Sequence, residues 1–359
     1  MRPNPMRSWP LLLLWVGAAG CGRADAVVFG VAAPLGREYG RSTREGAELA
    51  LREIRARGGR LALRFRDDRL DPGTAVAVAD SFWRERDVLA VVGHVTSGAM
   101  MAAGPVYNRG LVAVATTATS PQISRLGPWV FRVAGSDAAN AVALARFAVR
   151  FGPRVAVFYL NDDYGRNLQA SFRRALPRPA VAADPYLETT SDFGPYLDRL
   201  RRRGGADVVA VLGLDQDAAR LIRQARARGI AGPFVGGDGL EPLVPQREFD
   251  GVYVGVLFHP DMSPRARAFA ERFRAAYGHD PDGSAALAYD AVGLLWRAVE
   301  QGARSRDAIR RYLERLGQPG GPPPYEGVSG TLRFDARGDP VDKPFVVGRI
   351  AGGRLVLAR

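Results

Sequence analysis

The chain has 359 residues, of which 47% are hydrophobic and 24% are charged, and its formal net charge is +13. This composition excludes a disordered chain, and the length suggests two domains. Because Cys21 is the only cysteine, an intramolecular disulfide, a cysteine-ligated zinc site and a CxxC redox motif are excluded. The basic residues are 49 Arg and the single Lys343, spread along the chain without interleaved aromatic residues, so we expect no nucleic-acid partner.

The N-terminus has the layout of a bacterial signal peptide. Arg2 and Arg7 precede an apolar run at 11–16, which is far shorter than the roughly 20 residues that span a bilayer. The small residues before Cys21 resemble the lipobox of lipoproteins, in which this cysteine is acylated and becomes the mature N-terminus. We therefore expect residues 1–21 to form a lipoprotein signal peptide with a lipidated Cys21, which anchors an extracytoplasmic protein to a membrane. Ala18 stands where the lipobox usually has Leu, so ordinary secretion with removal of Cys21 remains the alternative.

Apolar runs of β type then alternate with segments of helical period. A first series predicts strands at 27–31, 61–65, 88–92 and 111–115, and helices at 43–57, 73–86 and 97–108. A second series predicts helices at 140–150, 164–176, 193–203 and 215–228, and strands at 155–159, 181–186, 208–212, 234–236 and 252–256. Each series is typical of a doubly wound parallel sheet with right-handed crossovers.

The remaining chain predicts helices at 264–277, 285–301 and 305–316, an irregular segment at 317–325, and β runs at 331–334, 345–350 and 355–357. Two α/β units with trailing helices fit a two-lobed body in which the chain returns to the first lobe. We assign 27–136 with 257–330 to lobe I and 137–256 with 331–359 to lobe II, joined by a three-segment hinge.

Several short motifs occur in a characteristic order over more than 300 residues: EGAELA at 45–50, DD at 67–68, DP at 71–72, GHVTS at 93–97, NDDYG at 161–165, IRQAR at 222–226, GGDG at 236–239 and GVSGTLRFD at 327–335. With these motifs the chain resembles the type I periplasmic binding proteins, specifically the leucine/isoleucine/valine-binding family that serves ABC importers. The resemblance implies a monomer that closes on an amino acid or a similar small carboxylate or amide. It also implies delivery of that ligand to an ABC permease in the membrane.

Two hydroxyl groups are candidates for binding a ligand carboxylate. Ser97 follows a predicted strand and opens a helix at the carboxyl edge of the first sheet, where backbone N–H groups bind anions. Thr119 lies in the loop 116–121, which also contains Thr117. The alternative for Ser97 is a helix N-cap, and for Thr119 a hydroxyl bonded to its own backbone. In the family, the matching positions bind the α-carboxylate of the ligand.

An ammonium group needs an anion, and Asp238 directly follows the predicted strand 234–236. From the residues alone, Gly-Asp-Gly is equally an ordinary turn sequence, whereas the family has an acidic ligand-binding residue here. Tyr39 and Tyr164 match aromatic positions that shape the family's cleft, with a packed loop tyrosine as the alternative. Leu214 replaces a further aromatic residue of branched-chain binders, so the side-chain pocket differs. Asp137 is either a hinge cap or a second ligand contact.

An α/β enzyme is the competing class. The three histidines, His94, His259 and His279, lack metal-ligand spacing, and the chain contains no GxSxG, P-loop or strand-linked GxGxxG motif. His94 lies three positions before Ser97, and we interpret it as a packed loop histidine rather than a catalytic base. We therefore expect no enzyme activity, no cofactor and no metal. A sensing or regulatory lipoprotein of the same fold, without a permease, remains an alternative.

Overall fold

The computed structural model describes residues 26–230 and 232–358. The predicted signal peptide with Cys21 lies outside the described residues, and its lipidation stays a prediction.

The first sheet is fully parallel, with the strand order β2-β1-β3-β4-β5. Its strands are β1 (Val27–Ala33), β2 (Leu61–Asp67), β3 (Val88–Val92), β4 (Val112–Ala115) and β5 (Val130–Arg132). The helices between them are α1 (Glu38–Ala56), α2 (Pro72–Arg84) and α3 (Ser97–Tyr107). Alternate residues of β1 enter separate apolar clusters on the two faces of the sheet, which explains why its sequence is continuously apolar rather than alternating.

The second sheet repeats this arrangement, with the order β14-β13-β10-β9-β8-β6-β7. Its parallel strands are β6 (Val155–Leu160), β7 (Ala182–Tyr186), β8 (Val208–Leu212), β9 (Phe234–Gly236) and β10 (Tyr253–Val256). The helices of this part are α4 (Asp137–Ala148), α5 (Asp163–Ala175), α6 (Gly194–Arg202) and α7 (Asp215–Ala227). At the C-terminus, β13 (Val346–Ala351) and β14 (Arg354–Leu357) extend the sheet by antiparallel pairing.

The segment between β10 and β13 returns to the first sheet. It contains α8 (Pro264–Tyr277), α9 (Gly283–Glu300), α10 (Arg306–Glu314) and the two-stranded ribbon of β11 (Tyr325–Gly327) and β12 (Gly330–Leu332). Helix α9 packs so closely on α1 that Gly46 has no room for a side chain: an added Cβ atom would lie 2.0 Å from the carbonyl oxygen of Ala285. The predicted fold class, α/β with two doubly wound parallel sheets, is confirmed.

Some local predictions are wrong for identifiable reasons. Helix α1 begins at Glu38 rather than at residue 43. Gly40 is a poor helix former, so this first turn carries no helical signal in the sequence. Glycine is needed there because an added Cβ would lie 2.0 Å from the oxygen of Pro34. The three-residue strand β5 was not predicted, and β11 begins inside the segment predicted to be irregular. Both are too short to show a period-2 pattern.

The third crossing between the lobes lies later than the boundary expected after residue 330. Leu332 and Phe334 are fully buried in the core of the first lobe, where the Phe334 ring packs 5.2 Å from that of Phe131. The chain reaches the second sheet only at β13. The segment between carries Lys343, whose Nζ donates to the backbone oxygen (2.8 Å) and the Oγ (2.7 Å) of Ser329.

Strand order creates a switch point in each of the two sheets. In the first sheet β2 and β3 pair on opposite sides of β1, and in the second sheet β7 and β8 pair on opposite sides of β6. This order leaves a crevice at the carboxyl ends of the strands, between β1 and β3 and between β6 and β8. Ligands bind in such crevices of open α/β sheets.

Candidate functional site

A cavity lies between the two lobes. Residues that follow strands of both sheets line it: Tyr39, Val95, Thr96, Ser97, Thr117, Asp162, Tyr164, Leu214, Asp238, Gly239, Glu241, Pro242, Asp282 and Ser284. Five of the six predicted ligand-binding residues are therefore brought together, and Thr119 is not among them.

One end of the cavity is the N-terminus of α3. The first bond of this helix runs from Met100 N–H to Thr96 O (3.0 Å), and Thr96 makes no side-chain capping bond. The N–H groups of the first turn thus have no partner within the helix. Ser97 Oγ accepts the N–H of Ser120 at 3.2 Å, and a hydroxyl that accepts can still donate. This end suits a carboxylate.

Thr119 has a different role from the expected one. It is fully buried, and its hydroxyl donates to Asp137 Oδ2 at 2.9 Å. The reason is that Asp137 is itself a buried carboxyl group, which must be hydrogen-bonded. Thr117, which does line the cavity, donates its hydroxyl to the oxygen of Val95 at 2.9 Å.

Asp238 lies in the cavity on the side of the second lobe. The Tyr164 hydroxyl donates to its Oδ1 at 2.9 Å and accepts the N–H of Gly239 at 3.2 Å. Neither glycine beside Asp238 has room for a side chain. A Cβ added at Gly237 would lie 2.5 Å from the Tyr164 hydroxyl, and a Cβ added at Gly239 would lie 2.4 Å from the oxygen of Gly213. Burial raises the pKa of Asp238 to about 6. A cation placed here would favour the ionised carboxylate.

Sequence reasoning missed three further carboxylates of the cavity: Asp162, Glu241 and Asp282. Asp162 caps α5 by accepting Gly165 N–H at 2.7 Å, and Asp282 caps α9 by accepting Ala285 N–H at 2.8 Å. An aspartate two or three positions before a predicted helix was the signal available for both. Glu241 follows Asp238 in the same loop, and no pattern in the sequence distinguished it.

Side chains of the two lobes also contact each other at the rim. Arg37 Nη2 lies 2.8 Å from Asp215 Oδ1, and its Nη1 lies 3.4 Å from Glu188 Oε1. The Tyr39 hydroxyl donates to the same Asp215 oxygen. Since Arg37 and Tyr39 precede or begin α1 whereas Asp215 begins α7, these bonds hold the lobes closed over the cavity.

His94 is bonded at both ring nitrogens, to Asp68 Oδ2 (2.7 Å) and to the Tyr107 hydroxyl (3.0 Å), and all three side chains are buried. Neither nitrogen is therefore directed to Ser97 as a base would be.

Asp137 makes the stability of the ligand-free protein depend on pH. Burial, and then the nearby Asp238, raise the pKa of Asp137 to about 8 from 3.8. The folded protein therefore binds a proton that the unfolded chain releases, and stability falls as pH rises from about 4 to about 8. We expect Asp137→Asn, whose amide oxygen can still accept from Thr119, to remove this loss.

The free energy of unfolding, measured by chemical denaturation at pH 5 and pH 7.5, gives the comparison. The gain of Asp137→Asn over wild type is expected to be about 2 kcal/mol larger at pH 7.5 than at pH 5. Asp192→Asn, at an exposed position, is the control and should leave the pH profile unchanged. Parallel profiles of wild type and Asp137→Asn would show that Asp137 is ionised in the fold.

Two parallel-sheet lobes that close on a cavity with an anion-binding end and a carboxylate define a solute-binding protein of two lobes. Comparisons with known proteins agree. The family model described as periplasmic binding protein matches residues 26–354. An amino acid binding protein of Pseudomonas aeruginosa is 30% identical over 343 residues, which cover 89% of each chain. The Leu/Ile/Val-binding protein homolog 1 of Brucella suis is 27% identical over 344 residues, with 90% of each chain covered.

Solved structures show the same relationship. The branched-chain amino acid transporter substrate-binding protein LivJ of Streptococcus pneumoniae, in complex with isoleucine, superposes with a TM-score of 0.85 at 26% identity, covering 93% of this chain and 99% of that one. An ABC transporter substrate-binding protein of Desulfitobacterium hafniense, in complex with Leu, gives a TM-score of 0.79 at 29% identity, with coverages of 93% and 100%.

The chain belongs to the periplasmic binding protein family. The predicted family resemblance is thereby confirmed. Proteins of this family are extracytoplasmic and bind solutes rather than transform them. In the part of the chain that the structure describes, no helix is long and apolar enough to cross a bilayer.

Proposed function

We propose that this protein captures an α-amino acid in the cavity between its lobes and delivers it to an ABC importer. The observation that carries the proposal is the opposition of two unlike ends: the first turn of α3 with Ser97 in one lobe, and Asp238 in the other. The first end stabilises a carboxylate through N–H donors and the helix dipole, and the second pairs with an ammonium group. The carboxylate and ammonium groups of a zwitterion bind the two ends at the same time, and closure of the lobes requires both contacts.

The relatives support this proposal. Among the solved structures that this chain resembles, one holds isoleucine and another Leu. Tyr39, Tyr164, Leu214 and Thr117 line the cavity in which the proposed ligand lies. Thr119 then acts behind the site: its hydroxyl donates to Asp137, a buried carboxyl group that interacts electrostatically with Asp238.

Cys21 completes the proposal as a lipid anchor that keeps the protein beside its permease. Only residues 22–26 separate Cys21 from β1, so the anchored lobes would stay close to the membrane surface. Mass spectrometry of the mature N-terminus tests this part: a diacylated Cys21 supports it, and cleavage at another residue without lipid contradicts it.

Thermal melting of the mature protein with each of the common amino acids tests the binding function. A ligand at 100 times its dissociation constant stabilises the native state by about 2.7 kcal/mol, which raises the melting temperature by several degrees. At least one amino acid is expected to do so. Small carboxylates without an amine serve as controls, and a shift with these alone would contradict amino-acid binding.

A further inference from the structure

Two carboxylates, one from each lobe, meet at the side of the cavity that opens outward. Glu241 lies in the short helical segment after β9, and Asp282 precedes α9. Gly283 N–H donates to Glu241 Oε1 at 3.0 Å, which brings the loop of Asp282 against Glu241 across the cleft. These two residues and Pro242 also line an outer groove that adjoins the cavity. They therefore stand where a ligand side chain would leave the enclosed space.

The cavity has more carboxyl groups than a neutral amino acid needs. Of its fourteen lining residues, all within the described part of the chain, four are carboxylates and none is Arg or Lys. Asp162 and Asp282 face the N-termini of their own helices, and Asp238 is assigned to the α-ammonium group. Glu241 has no such compensation beyond a single backbone N–H. Burial, followed by the charge of Asp282, holds the pKa of Glu241 well above its usual range.

Three of the cationic or titratable side chains that line the outer groove have acidic partners of their own. Arg41 pairs with Glu38, Arg274 with Asp280, and His279 lies 3.2 Å from Glu45. Glu38 and Glu45 add further negative potential at Asp282. Within the described residues, neither Glu241 nor Asp282 forms an ion pair with Arg, Lys or His, so both carboxyl groups are open to a cationic group of the ligand.

From this juxtaposition, and resting on the proposed function, we infer that Glu241 and Asp282 determine specificity by binding a second cationic group, at the side-chain end of the ligand. The ligand class is then the dibasic α-amino acids, with a terminal amine or guanidinium group. Val95, Leu214 and Pro242 provide apolar lining for the methylene groups of such a side chain. Carboxylates bind guanidinium and ammonium groups through charge-assisted hydrogen bonds, and each keeps acceptor sites beyond those used by the backbone.

Calorimetric titration of the mature protein with lysine, ornithine, arginine and norleucine tests this inference. Norleucine has the unbranched hydrocarbon side chain without the cation. At least one dibasic amino acid is expected to bind 30-fold or more tightly than norleucine. Glu241→Gln and Asp282→Asn should each weaken that ligand at least tenfold and change norleucine affinity less than threefold, because Asn retains the helix cap. The exposed Glu248→Gln is the control.

The other outcomes overturn the inference in distinguishable ways. If norleucine or leucine binds as tightly as every dibasic amino acid, the specificity assignment is wrong while amino-acid binding stands. If Glu241→Gln weakens norleucine and the dibasic ligand equally, Glu241 acts on cleft structure and not on the second cation. If no α-amino acid binds, the proposed function fails together with the inference.

Discussion

Replacement of Asp238 by alanine is expected to weaken amino-acid binding by about two to four orders of magnitude. In the closed cleft the carboxylate of Asp238 is the anion assigned to the ligand ammonium group, and its removal leaves a buried cation unpaired. Such a loss corresponds to roughly 3 to 5 kcal/mol. Calorimetric titration with the best amino acid from the melting experiment measures it.

Stability distinguishes a binding role for Asp238 from a turn role. Because burial raises the pKa of this carboxyl, its ionised form is a cost to the ligand-free fold, and Asp238→Ala should leave the melting temperature unchanged or slightly higher. Glu248→Ala, an exposed position of the same lobe, serves as the matched control and should retain affinity. A variant with near-normal affinity and a loss of about 1 kcal/mol in stability would make Asp238 a turn residue only.

Lys343→Met is expected to destabilise the fold by about 3 kcal/mol. This lysine is partly buried at the third crossing, and its ammonium group is linked to Asp290 through Ser329. Burial lowers the pKa of Lys343 to about 8, so it is charged at neutral pH. Met fills a similar volume but leaves the buried Asp290 without its cation. The effect falls at the low end of the range for broken buried pairs because Asp290 keeps three donors, from Val328 N–H, Ser329 N–H and the Ser329 hydroxyl.

Chemical denaturation at pH 7 measures this change. Arg349→Met removes a positive charge at an exposed position of the neighbouring strand β13 and should cost less than about 0.5 kcal/mol. Equal effects of the two substitutions would show that the Lys343–Ser329–Asp290 contacts do not stabilise the crossing.

The sheets and most helices could be predicted because their signal is local. Strands such as β4 and β8 are continuously apolar, as strands buried on both faces must be, and the helices between them carry one apolar face. The start of α1 and the exact end of the first lobe could not be predicted. Gly40 is required by the nearby oxygen of Pro34, which lies outside the periodic part of the helix. Phe334 is placed by its contact with Phe131, about 200 residues earlier in the chain.

The site was predicted where a residue follows a strand end, as Ser97 and Asp238 do, since the carboxyl ends of strands converge there. Thr119 illustrates the limit: its hydroxyl is directed to Asp137, and that pairing depends on how the first crossing meets the loop after β4. Glu241 and Asp282 come from segments about 40 residues apart in opposite lobes. Only the closed arrangement of the lobes brings them together.

Recognition of both ends of an amino acid is the central claim, and one titration series tests it directly. The best-binding amino acid is compared by calorimetry with its deaminated acid and with its carboxamide, which share the side chain. The account predicts that each analogue binds at least 100-fold more weakly, the first because Asp238 loses its cation and the second because the α3 terminus loses its anion. A deaminated acid that binds as tightly as the amino acid would contradict the account.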